Sequence, residues 1–204
     1  MAPDYPEEPL LARNKLTIQE VLGPDAVQIK IQNLIVEENF TSQTSRVVCH
    51  FNMLEKDIII EDVGKGVVDA LFNAFLNFFS DKYVSLKAIQ LHDFIVKVEL
   101  KRSAGMNSDV PVEVKVALRG TGRARLYFKA KTDSLMMSSA QAVASAIEYL
   151  INAEATAVRL SADAKLAKKR KRTDLENSYI CKLLELVKFV SYSEAIEVFD
   201  KQRG

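Results

Sequence analysis

Three places along the chain combine residue types that can do chemistry. Gly64-Lys65-Gly66 runs directly into a helical pattern whose first turn carries Asp69. Glycines allow a ligand close to the backbone, and a helix start offers unpaired N–H groups at the positive end of its dipole, which suits a carboxylate. Asp69 supplies a partner for an ammonium group. Asp133-Ser134 opens a second helical pattern and repeats the helix-start chemistry. The third place is Lys165 with Lys168, Lys169, Arg170, Lys171 and Arg172, dense enough in positive charge to contact phosphates. Each has a plain structural reading beside it: a tight turn at the glycines, a helix cap at Asp133, a solvated hinge between helices at the basic run. Asp69 sits on the only polar stripe of its helix, where solvation accounts for it equally well.

No pattern for bond-making accompanies these groups. A nucleophile elbow, a phosphate loop and a helical H-E-x-x-H are all missing, and Gly64-Lys65-Gly66 is too short for a dinucleotide fingerprint. His50 and His92 are far apart and lie in strand patterns, so no metal is expected. Cys49 and Cys181 give no disulfide framework or zinc spacing, and both lie in apolar periodic segments that read as buried. The 204 residues carry a formal net charge of +1, so no overall field draws the chain to nucleic acid. Aromatic residues do not interleave the basic run either, which places nucleic-acid binding behind the regulatory and scaffold readings and ahead only of catalysis. The start of the chain is acidic and proline-rich, unlike a signal peptide, and no apolar run suffices to span a bilayer; a cytoplasmic protein is expected.

The elements that must hold these groups follow from periodicity. Residues 1–26 read as an arm and a short helix with Leu16, Ile18, Val21 and Leu22 on its face. Alternation then marks strands from Val27, across Val47–Met53 and at Ile58–Ile60. A helix follows over Val67–Phe79, apolar except for Asp69, Asn73, Asn77 and Ser80, and it needs a second surface besides one sheet. The order repeats: strands on Phe94, Val96, Val98 and Leu100, on Val112–Leu118 and on Ala124–Ala130, with turns at Ser103–Asp109 and Gly120–Gly122, then a helix with Leu135, Ser139, Ala142, Ala146 and Leu150 on one face. The pattern predicts an α+β fold of two βββα units, about 27–80 and 84–153, with antiparallel sheets, helices on one face and wet charged strand faces. Residues 154–204 read as a helical extension, with Thr173 and Glu176 spaced as a capping box and Ser191 and Glu194 able to cap a last helix.

Four motifs in order resemble one family. Gly64-Lys65-Gly66-Val67-Val68-Asp69-Ala70-Leu71-Phe72-Asn73-Ala74 resembles the G-D-G-P-V-D-A-x-x-x-A that opens the first helix of the regulatory domain of 2-isopropylmalate and citramalate synthases. Leu91-His92-Asp93-Phe94 is similar to its L-x-D-Y strand, and Gly105 to Asp109 to its glycine–acid loop. Asp133 to Ala142, ending at Leu150-Ile151-Asn152, is similar to its second helix. Lys65, Val67 and Phe94 depart from the family's acid, proline and tyrosine. The metal-binding H-x-H and the R-D-G-x-Q loop of the catalytic barrel have no counterpart.

The resemblance implies a non-catalytic regulatory domain that binds a branched-chain amino acid such as leucine or isoleucine and modulates an enzyme of the 2-isopropylmalate synthase type. The ligand would meet Gly64, Gly66, Asp69, Asp133 and Ser134 with its polar end, and Val68, Leu91, Phe94, Val98 and Leu135 with its side chain. It further implies a homodimer and a partner enzyme of branched-chain amino-acid biosynthesis, with no cofactor and no membrane. A dimeric scaffold that has lost its ligand is the alternative.

Overall fold

The computed structural model describes residues 9–98 and 111–203. The chain opens with α1 (Pro9–Leu22) and continues into β1 (Lys30–Asn39), β2 (Thr44–Met53), β3 (Lys56–Gly64) and α2 (Val67–Phe79). The second pass is β4 (Gln90–Val98), β5 (Val112–Arg119), β6 (Arg125–Thr132) and α3 (Leu135–Lys169), followed by α4 (Thr173–Leu186) and α5 (Ser193–Arg203). The strands make two antiparallel three-stranded sheets, ordered β1-β2-β3 and β4-β5-β6. Two βββα units on an α+β plan are therefore present. The glycine–acid loop, the turn expected at Ser103–Asp109 and the expected strand position Leu100 lie outside the described residues.

The repeat extends to a local irregularity. Each first strand carries a bulge near its start, at Gln32 in β1 and at His92 in β4. Counted from these bulges, the cross-strand row Glu38–Ser45–Gly64 corresponds to Val98–Val112–Thr132. Gly66 then corresponds to Ser134, and Asp69 to Met137.

Alternation decides which strand faces are dry. Val47, Cys49 and Phe51 of β2 are fully buried under α2, where Phe51 meets Phe75 at 5.2 Å between ring centroids. Burying one such ring contributes roughly 2–3 kcal/mol. In the second sheet Val114, Val116, Leu118, Leu126 and Phe128 are buried beneath α3, and Phe128 lies 5.4 Å from Tyr149. The second surface that α2 requires is supplied by α3, on which α1, α4 and α5 also pack. Its 35 residues rise about 52 Å, long enough to carry the second sheet at one end and these helices at the other.

Several sequence readings are corrected. α1 begins at Pro9 and buries Leu11, Asn14, Ile18 and Leu22, while Leu16 is 67% exposed. β1 starts at Lys30, because the preceding backbone at Val27 and Ile29 bonds to α3 side chains instead of a strand. Cys181 is exposed, since only one side of α4 packs inward. The capping box does not form: Thr173 is already helical, Arg172 holds the cap position, and its guanidinium binds Asp174 at 2.9 Å.

Candidate functional site at the helix starts

Gly64 ends β3 with the first turn of α2 folded against it. A Cβ there would lie 2.5 Å from the Ala70 amide nitrogen and 2.7 Å from Asp69 Oδ2, so only glycine fits. The Asp69 carboxylate accepts the Lys65 backbone N–H at 3.0 Å and pins the loop. Gly66 holds the cap position of α2 in extended backbone, with no side chain capping the helix. The first amides of α2 are therefore left without intrahelical acceptors. A Cβ on Gly66 would meet no atom within 4 Å. The protein itself does not require glycine there.

The corresponding end of α3 is closed. Ser134 Oγ accepts the Met137 N–H, and Thr132 and Ser138 share a hydroxyl contact at 2.9 Å. Ser138 Oγ also donates to the Val112 carbonyl at 2.7 Å, tying the helix start to the sheet. The cap is Ser134; Asp133 lies exposed one residue before it. Of the two repeated helix starts, α2 is open and α3 is filled by its own hydroxyls.

The apolar candidates fall on one face of β4. Leu91, Phe94 and Val98 pair with Leu118, Val116 and Val112, which are on the helix-facing side of the sheet. α3 lies over β5 and β6, leaving Phe94 37% and Val98 51% exposed. Val98 shares its cross-strand row with Thr132, so it sits at the same end of the sheet as Ser134 and the 40% exposed Leu135. The structure thus unites Gly64, Gly66, Val68 and Asp69 at one helix start and gathers Val98, Asp133, Ser134 and Leu135 at the other. α2 packs on β2, β3, α3 and the turn before β4, not to a comparable extent on β4 itself.

Lys168 and Lys169 finish α3, Arg170 and Lys171 make the turn, with Lys171 at a φ of 58°, and Arg172 holds the cap position of α4. The basic run is the exposed reversal of a helical hairpin. Its first lysines sit where the negative end of the α3 dipole favours them.

Sequence reasoning overlooked the polar side chains of α3 that hold the first unit. Asn152 bonds both backbone groups of Val27 at 2.8 Å, and Glu148 accepts the Ile29 N–H at 2.9 Å. Glu154, 4% exposed, accepts the Ser85 N–H at 2.9 Å. Burial pushes the carboxyls of Glu148 and Glu154 above the usual range. The readable signal is three polar residues on a helix otherwise apolar at those turns. Among the described residues, no group of His, Cys, Asp and Glu is placed to hold a metal ion, and no helix is long and apolar enough to cross a membrane.

A duplicated βββα fold with one open helix start and an edge strand whose apolar face is left partly exposed is the build of a small regulatory or dimerisation domain. The sequence matches the LeuA allosteric (dimerisation) domain over residues 13–151, and the chain belongs to that family. No curated protein is similar enough to this chain to match it.

Proposed function

We propose that this protein is a non-catalytic regulatory subunit that binds a branched-chain amino acid at the start of α2 and modulates a partner enzyme of the 2-isopropylmalate synthase type. The open end of α2 carries this reading: uncapped amides, a Gly66 with empty space before it and Asp69 within the same turn. The amides receive the ligand carboxylate, Asp69 takes the ammonium, and the aliphatic side chain lies toward Val68 and the strip formed by Leu91, Phe94 and Val98. Because α2 and β4 pack little on each other within one chain, a second copy is the natural means of closing this site, and a homodimer belongs to the proposal. Asp133, Ser134 and Leu135 belong to the ligand's outer wall in this reading.

Thermal unfolding with leucine, isoleucine and valine tests it. A ligand present at a hundred times its dissociation constant stabilises by about 2.7 kcal/mol. Gly66→Val should abolish that gain while leaving the unliganded protein's melting temperature nearly unchanged, since the added side chain meets no atom. If no branched-chain acid shifts the transition at millimolar concentration, ligand binding is refuted. The engagement of Asp69 by the Lys65 amide then favours the second reading, a dimeric scaffold without ligand, which sedimentation analysis would reveal as a dimer indifferent to amino acids.

A further inference from the structure

The bulge register implies a second cleft. If α2 and β4 frame one, the repeat places α3 and β1 around its counterpart, and there the structure holds a solvent-open groove of about 870 Å³. One wall is Ile29 with Ile31, Leu34 and Val36 of β1, and its α3 wall includes Met136, Met137, Ala140 and Ala144. Asn152 and Glu148 fasten the strand at one end. Met137, Gln141 and Ser145 continue their stripe down the helix and line the groove where β1 is no longer bonded to α3.

Its chemistry differs from that of the α2 end at the decisive position. Met137 stands in the place of Asp69, and among the described residues no carboxylate lines the groove to partner an ammonium group. Lys30 and Lys129 line it instead; both are exposed and neither forms an ion pair among the described residues. Among the described residues, no aromatic side chain lines it. The β1 wall from Lys30 to Val36 runs about 20 Å at about 3.3 Å per residue, far longer than a single amino acid needs. Methionine thioethers adapt to a flexible chain.

We propose that the groove between β1 and α3 binds an unbranched medium-chain aliphatic carboxylate, its chain along Ile31, Leu34, Met137 and Ala144 and its carboxylate at Lys30 and Lys129. The site is separate from the start of α2 and stands whether or not an amino acid binds there.

Titration calorimetry with hexanoate, octanoate and decanoate, below their micellar concentrations, tests it on the full chain, with methyl NMR of the methionines as a second readout. Affinity should rise about fourfold per added methylene, and the Met136 and Met137 methyl signals should move. Decylamine should bind at least tenfold more weakly than decanoate. The Lys30→Gln, Lys129→Gln double variant should erase that preference, and Met137→Glu should abolish carboxylate binding; these positions are exposed, so the fold is retained. Failure of decanoate to bind, equal binding of decylamine, or binding that leaves the Met136 and Met137 signals unmoved would each overturn the proposal.

Discussion

Cys49 and Cys181 share a residue type and little else. Cys49 sits at zero exposure in β2, opposite Leu34 and Ile60, and burial pushes its thiol up to about 11. Cys181 is on the open side of α4. In native protein at pH 8, iodoacetamide should therefore label one thiol quickly. Ionisation alone slows Cys49 by on the order of a hundredfold relative to an ordinary cysteine, and burial adds to that. Peptide mass spectrometry before and after denaturation checks the order; equal labelling of both in the native state would contradict the packing of β2. The sequence placed Cys49 correctly, because strand alternation leaves one dry face. It misplaced Cys181, because an amphipathic pattern does not show that only one side of its helix finds a neighbour. Gly64 and Gly66 divide the same way: they read alike in sequence, yet the folded turn crowds only the first.

At the scale of elements, the strand and helix order was legible and the fastenings between the units were not. Period two marks β2, where buried Val47, Cys49 and Phe51 alternate with less buried neighbours, whereas in the central strand β5 Lys115 and Ala117 on the other face are buried as well. The pairing of Asn152 with Val27 spans 125 residues and has no local signature. Asn152→Ala strands the part-buried N–H and carbonyl of Val27 and should cost about 1–3 kcal/mol. Hydrogen exchange should accelerate first at Val27 and Ile29; a uniform acceleration throughout the chain would mean that β1 has no separate anchorage. Glu154 gives a pH dependence of known sign. Its folded-state pKa lies above the ordinary carboxylate value, so between the two values the folded state holds a proton that the unfolded chain has released. Stability is therefore greatest below the ordinary value and falls as pH rises through the folded one. Glu154→Gln removes this contribution, so urea unfolding from pH 4 to 8 should show the wild type losing ground to the variant as pH rises. Parallel curves would place the carboxyl in an environment no different from water.

Across the whole molecule, the helical extension was legible as helices but not as a brace. Nothing in residues 154–204 announces that they clamp the turn of the second sheet, because the contact depends on glycines some seventy residues earlier. The Gly122 N–H donates to the Phe189 carbonyl at 2.8 Å, and a Cβ on Gly122 would lie 2.0 Å from the Lys188 carbonyl oxygen. Phe189, Val190 and Tyr192 are buried in the same segment, which links α4 to α5. Gly122→Ala cannot be absorbed by rotating a side chain, since the obstruction is backbone on both sides. The expected cost is about 2–4 kcal/mol, in the upper range for overpacking. If the segment between α4 and α5 gives way before the sheets do, limited proteolysis of the variant should cut near Lys188 while the two βββα units stay protected. Cleavage spread evenly over the chain would show instead that brace and sheets unfold as one cooperative unit, with α3 transmitting the strain between them.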